Sequence, residues 1–303
     1  MRDNIRYNYY LVAFIDVLGQ KELFQTLEGQ TLTDDDPKLI EVHKKTVMFV
    51  ESLRRGFQSF FDAYTAEGEP SVQIDPSKKE QFEAMMKSNL KHQRFSDCIQ
   101  AYTSLRTGTY HTNVLNGVLG ILLACGSLLL LSLSLKKAFR AGIEVGIGTE
   151  LDNGEIYGPA LYRAYELENK VAQYPRIVIG QELMDYLVSV VKNDTPLPQQ
   201  SKEDIALCRA LAERCLKLIV RDLDGVLILD YLGKDFICNI NVHEDQAVEK
   251  TYKESFENAF QFIESEYAKK RNSGDSKLAL RYYLLLNYFK ARMPPYFKPI
   301  GVN

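Results

Sequence analysis

An α+β fold, a sheet with helices packed on it, is what this 303-residue sequence predicts. Two observations carry that expectation. Short apolar runs bounded by turn residues read as strands, and longer segments repeat their apolar residues at helical spacing. The order is strand, helix, strand, helix, strand, strand, helix, strand, helix, which favours α+β over a doubly wound sheet. The composition, 46% hydrophobic and 25% charged, is that of an ordinary globular protein and excludes a disordered or fibrous one.

The first strand is Tyr9 to Val17 (YYLVAFIDV), which ends in an acid and leaves through Leu18-Gly19, with helix expected from about Lys21. Residues 27–37 read as a polar loop. From Lys38 to Thr65 the residues Ile40, Val47, Val50, Leu53, Phe57, Phe60 and Phe61 give the apolar face of a long amphipathic helix. Residues 66–91 are polar and basic with Pro70 and Pro76, and read as an exposed insertion. Arg94 to Thr103 (RFSDCIQAYT) predicts a strand with a hairpin partner, and Val114 to Leu135 an apolar helix. Arg140 to Thr149 is a strand, Asp152-Asn153-Gly154 a turn, Glu155 to Tyr157 a strand and Pro159 to Val171 a helix. Pro175 to Gly180 is a short strand and Glu182 to Val191 a helix. Beyond Lys192 the chain is polar, as a loop or a boundary would be. Leu216 to Leu232 then reads as a hairpin about Asp224-Gly225, and two helices broken near 272–275 complete the chain. The expected organisation is a domain over 1–195, with a helical insertion at about 27–91, and an extension over 196–303 packed on the same core.

Charge and cysteine usage exclude several function classes. Lys and Arg total 37 against 40 Asp and Glu, so a net charge of -3 supplies no global basic field, and no nucleic acid partner is expected. Cys98, Cys125, Cys208, Cys215 and Cys238 are odd in number and never spaced CxxC, which argues against a disulfide framework or zinc knuckle and for a reducing cytoplasm. Met1 to Tyr10 carries Arg2, Asp3 and Arg6 and lacks a signal-peptide core, so secretion is not expected. Val114 to Leu135 has no charge and reaches the roughly 20 residues of a membrane span. It also contains Asn116, Ser127, Ser132 and several glycines, and a lone span would put the two halves of one site on opposite sides of a bilayer. A buried core helix is expected, with no stable membrane association.

Asp16 and Asp97 are the candidate metal ligands, because each lies at or beside a strand among apolar neighbours, where an unpaired carboxylate is costly. Two carboxylates from neighbouring strand ends suit Mg²⁺ or Mn²⁺, which shares its remaining shell with substrate phosphates. The turn Val17, Leu18, Gly19 and Gln20 offers backbone N–H groups and a helix N-terminus as an anion site. The alternative is that Asp16 caps the following helix and Asp97 pairs with Arg94 or Lys91. Of the four histidines, His43, His92, His111 and His243, only His92 is expected near the site, and none is needed as a base.

Four segments carry a family resemblance. FIDVLGQ resembles the first strand and turn of class III nucleotidyl cyclases, and QRFSDCIQAY their second metal-binding strand. RAGIEVGIGTEL is similar to the family's glycine-rich strand, and GEIYGPALYRAYELE to its strand-to-helix segment with an aromatic-Gly pair. All four come in the family's order and cover roughly residues 9–180. The YPRIVIG run, the insertion before the second metal-binding strand and the C-terminal helices most resemble the pyrimidine cyclases of bacterial Pycsar anti-phage systems.

This resemblance implies a class III cyclase-like (ferredoxin-like) sheet with extra C-terminal helices, and a homodimer with composite sites. It implies two divalent ions, Mn²⁺ or Mg²⁺, held by Asp16 and Asp97, and a triphosphate on the amides of Val17 to Gln20. Conversion of UTP to cyclic UMP is favoured over conversion of CTP to cyclic CMP, with signalling through a separate effector that senses the cyclic nucleotide. The base-selecting positions fall on Gln93 and Glu155, whose amide and carboxylate match neither the adenylate pair, Lys and Asp, nor the guanylate pair, Glu and Cys; either can instead be a solvated side chain on an edge strand. The family's helical Asn and transition-state Arg fall on Tyr162 and Glu166, so Arg163 or Arg94 must supply that charge. A catalytically inactive nucleotide-binding scaffold and a membrane-associated regulator are the competing readings.

Overall fold

The computed structural model describes residues 7–19, 24–29, 33, 35–65, 79–95, 97–106, 110–152, 154–192, 201–241 and 245–295. In chain order the elements are β1 (Asn8–Val17), α1 (Pro37–Thr65), α2 (Lys79–Met86), β2 (Lys91–Phe95), β3 (Cys98–Ser104), α3 (Thr112–Ser134), β4 (Phe139–Glu150), β5 (Ile156–Tyr157) and α4 (Pro159–Glu166). A π-turn (Leu167–Val171) extends α4, and β6 (Ile177–Ile179), α5 (Gln181–Lys192), α6 (Lys202–Lys217), β7 (Ile219–Arg221) and β8 (Leu227–Leu229) follow. Helices α7 (Lys234–Asn239), α8 (Gln246–Asn272) and α9 (Ser276–Ala291) complete it. The α+β class holds. The described strands form an eight-stranded sheet in the order β2-β3-β1-β4-β6-β8-β7, with β5 paired to β4; only β4 and β6 run parallel.

Alternation along the central strands assigns each residue to one of two faces. Leu11, Ala13 and Ile15 of β1, Ile99 and Ala101 of β3 and Phe139, Ala141 and Ile143 of β4 join the main core under α1, α3, α8 and α9. Tyr10, Val12 and Phe14 point the other way, toward Tyr102, Ile156, Ala160 and Ala164. On that second face α4 rests directly on β4, because glycines remove the side chains it would strike. A Cβ on Gly142 would lie 2.2 Å from the Ala164 carbonyl oxygen, and one on Gly146 3.0 Å from Ala160 Cα.

The apolar helix α3 is enclosed by protein, with 89% of its most apolar 18-residue window buried. It is apolar all round because the sheet, α1, α6 and α8 cover it from several sides. Its N-terminal donors are satisfied by Asp204 of α6, which accepts from the Thr112 amide at 3.0 Å, the Thr112 hydroxyl at 2.6 Å and the His111 amide at 3.2 Å. Of the described residues, α3 alone is long and apolar enough for a membrane span.

Several expectations change in detail. Ile40 and Val47 are 41% and 45% exposed, while α1 buries the expected Val50, Leu53, Phe57 and Phe61 together with Val42 and Thr46. The 94–103 segment is a hairpin, with β2 starting at Lys91 and Asp97 in the turn. Within the expected insertion, 79–86 is helical, while 66–78 lie outside the described residues, as does the start of the helix expected at Lys21. Helices α6 and α7 were not anticipated; α6 begins with the Ser201 hydroxyl accepting from the Asp204 amide at 3.1 Å. The hairpin about Asp224-Gly225 belongs to the same sheet, since β8 pairs with β6 at Val178↔Ile228. Buried Arg176 secures it, donating to Asp222 at 2.6 Å and to Asp224 Oδ2 at 2.8 Å.

Candidate functional site

The register of the central strands brings chemistry-bearing residues into rows on the second face. Asp16 pairs with Cys98 on one side and Arg140 on the other, and Phe95 pairs with Cys98. The next row on the same face is Gln93, Gln100, Phe14 and Gly142. Asp97 caps the hairpin beside the first row. One ligand atom from each of Asp16, Asp97 and Cys98 lies within 4.8 Å of the others, so the two acids singled out in the sequence converge.

Asp16 is half-buried and networked. Its Oδ1 accepts from the Cys98 thiol at 3.3 Å, and its Oδ2 lies 3.6 Å from Arg140 Nη2. Arg140 holds Glu168 more tightly, at 2.6 Å, and donates to the Ala172 carbonyl at 3.3 Å. Burial pushes the Asp16 carboxyl above its ordinary range and the charge of Asp97 adds to the push, while Cys98 and Arg140 oppose it. Burial likewise pushes Glu168 up to about 7, against the pull of Arg140 and with Asp16 adding to it. The Cys98 thiol is driven far above its usual range by burial and by Asp16, so it stays protonated and donates. Two further carboxylates, Asp97 and Glu168, thus lie near Asp16, and Arg140 is shared between Asp16 and Glu168.

The rest of the expected site is only partly assembled. At the turn after β1, Gly19 has φ +84°, a conformation that needs glycine, but the Leu18 amide donates to the Ala138 carbonyl at 2.9 Å and Val17 is in the ladder with Phe139. The Leu18 amide is thus engaged within the fold, and Gln20 lies outside the described residues. Gln93 uses its Oε1 to accept the Ile156 amide at 3.3 Å, fixing β5. Glu155 precedes β5, in the turn whose Leu151 amide donates to its carbonyl. Arg94 occupies the register position opposite Ile99, and its side chain is outside what the structure describes. His92 pairs with Ala101, hence on the opposite face from Asp16, and contacts Arg54 at 3.0 Å; the expected proximity to the site does not hold.

Helix α4 supplies the wall. The Tyr162 hydroxyl donates to Glu166 at 2.8 Å, Glu166 also pairs with Lys170, and Arg163 pairs with Glu182 at 2.9 Å. Beside this wall lies a cavity of about 680 Å³, floored by Phe14 and Gln100 and bordered by Tyr157, Tyr162 and Tyr165. Cys98, Gln100, Arg140 and Glu168 were not singled out from sequence. Cys98 and Gln100 were within reach of it, because period-two alternation from Asp16↔Cys98 puts both on the face of Asp16 and Phe14. Neither a scan against protein-family models nor a search of curated proteins returns a match for this chain.

Proposed function

We propose that the protein is a pyrimidine nucleotide cyclase that converts UTP to 3′,5′-cyclic UMP and pyrophosphate in anti-phage signalling, with CTP as the alternative substrate. The observation that carries this reading is the convergence of Asp16 and Asp97 beside an open cavity. The β1-α1-α2-β2-β3-α3-β4 connection with spatial order β2-β3-β1-β4 supports it, since a split β-α-β arrangement of this kind is what the class III cyclase resemblance requires.

The donor set fits divalent cations. Two carboxylates on one side, with solvent and substrate oxygens on the other, suit Mg²⁺ or Mn²⁺, and Asp16 and Asp97 would hold them. When bound, such ions lower the pKa of the attacking ribose 3′-hydroxyl and neutralise the triphosphate. The chain's own residues have distinct tasks. Arg140 fixes the outer oxygen of Asp16 and is itself anchored by Glu168, so the carboxylate is oriented before substrate arrives. The α4 wall aligns the nucleotide so that its 3′-oxygen faces the α-phosphorus, and pyrophosphate departs on the opposite side. Arg163 reaches the developing phosphate charge only after leaving Glu182, an exposed pair that costs little to break.

In this reading a second copy of the chain completes the site, two divalent ions, Mn²⁺ or Mg²⁺, are the cofactors, and a separate effector reads the product in the cytoplasm. Nucleic acid and membrane have no part in it. A second reading, an inactive nucleotide-binding scaffold, draws on one observation: Tyr162 and Glu166, at the family's catalytic Asn and Arg positions, are engaged with each other. The deciding experiment incubates purified protein with each of the four ribonucleoside triphosphates and Mn²⁺ or Mg²⁺ and identifies products by mass spectrometry. Cyclic UMP or cyclic CMP supports the pyrimidine cyclase; cyclic AMP or GMP keeps cyclisation and discards the pyrimidine assignment; no product favours the scaffold.

A further inference from the structure

The floor of the cavity holds a polar group with nothing to bond. Gln100 is 7% exposed, and its buried Oε1 finds no hydrogen-bond partner among the described residues. Leaving such an acceptor unpaired costs about 1–3 kcal/mol, a cost the fold avoids almost everywhere else in the sheet. The surroundings are aromatic: Phe14 lies beside it in the ladder and meets Tyr165 edge to face at 5.4 Å between ring centres. A cavity of about 680 Å³ with apolar walls and one oriented amide has the size and lining of a small-molecule pocket.

Its position says which part of a molecule belongs there. Gln100 and Phe14 are each two residues along the strand from Cys98 and Asp16, on the same face, a separation of roughly 7 Å. A ligand with its anionic end at Asp16 and Asp97, through cations, has its next rigid group over Phe14 and Gln100. We propose that this cavity is the base subsite for a nucleotide, and that Gln100, rather than Gln93, reads the hydrogen-bonding edge of the ring. Its Oε1 accepts a ring or exocyclic N–H of a planar nitrogen heterocycle, and the amide nitrogen donates to the neighbouring oxygen or nitrogen on the same edge. Gln93 is unsuited to that task, because its own carbonyl is committed to the Ile156 amide. This inference deepens the cyclase reading and rests on it for the identity of the anionic end.

The test separates ring binding from turnover. Calorimetry with Mg²⁺ measures binding of 3′-deoxy nucleoside triphosphates, which lack the attacking hydroxyl, and of inorganic tripolyphosphate, which lacks a ring. The wild-type protein is expected to bind at least one 3′-deoxy nucleotide about ten-fold or more tighter than tripolyphosphate. Gln100→Leu is expected to erase that advantage, leave tripolyphosphate binding unchanged and raise the melting temperature, since it removes an unpaired buried acceptor. An undiminished nucleotide advantage in Gln100→Leu overturns the inference, as does an equal loss of nucleotide and tripolyphosphate binding, or a wild-type protein that shows no advantage. If the advantage is present and Gln100-dependent while none of the four ribonucleoside triphosphates is cyclised, the subsite stands and the cyclase reading falls.

Discussion

Asp16 is held by unlike neighbours: the Cys98 thiol donates to one oxygen, Arg140 lies near the other, and Asp97 repels both. Setting a second acid beside it keeps negative charge together at some cost in stability. From this follows a prediction for Asp16→Asn. The amide still accepts from Cys98, Arg140 keeps Glu168 as its partner, and the repulsion from Asp97 is gone; thermal stability is expected to hold or rise. Mn²⁺ affinity is expected to fall by more than about 10-fold and cyclase turnover to vanish. Denaturation and metal titration on the same preparation check it, and unchanged Mn²⁺ binding would remove Asp16 from the ligand set. Asp16 and Asp97 were legible in the sequence because acids among apolar strand residues are rare and need compensation. The engagement of Arg163 with Glu182 was not, because it depends on where α5 lands relative to α4.

Strand β4 shows why elements, more than single residues, carry the resemblance. Its alternate positions Gly142, Gly146 and Gly148 face α4 or the β5 turn, and each glycine answers a specific close approach. The spacing of two is a strand property and was readable from RAGIEVGIG; which helix lies over it was not, because the sequence does not print the crossing. Gly142→Ala is expected to destabilise the protein by at least about 2 kcal/mol, since its Cβ would meet the Ala164 carbonyl at 2.2 Å and backbone cannot swing aside as a side chain does. Gly146→Ala, with its nearest atom at 3.0 Å, is expected to cost clearly less. Urea denaturation of the pair checks the ranking, and equal midpoints would mean that α4 does not press on β4. Helix α1 teaches the converse. Its helical period was legible, and Val50, Leu53, Phe57 and Phe61 are buried as expected, yet in its first turns Val42 and Thr46 face the core where Ile40 and Val47 were expected. Helix α6 went unread because Pro196 and Pro198 dominated the preceding stretch, although Ser201 and Asp204 form a recognisable N-terminal cap.

At the scale of the molecule, the long apolar segment forces a choice between bilayer and protein as its solvent, and the C-terminal third makes it. Phe256, Phe260, Phe289 and Leu285 of α8 and α9 lie in the same core as Leu122, Leu128 and Leu129 of α3. Asp204 of α6 satisfies the N-terminal donors of α3, and β8 extends the sheet beyond β6. Burying one Phe or Leu contributes about 1.5–3 kcal/mol, so four such side chains approach the whole stability of a typical domain, about 5–15 kcal/mol. Residues 1–195 therefore hold the proposed catalytic residues, while part of the core they stand on comes from the extension. The full chain is expected to remain in the supernatant of a detergent-free lysate and to melt cooperatively, whereas the 1–195 fragment is expected to aggregate or to sediment with membranes, its α3 uncovered on the side that α6, α8 and α9 protect. A soluble 1–195 fragment with a cooperative melt and native near-ultraviolet dichroism would mean that the extension is a separable domain. A full chain extractable only with detergent would mean that α3 meets lipid, and that the burial seen here is not its resting environment.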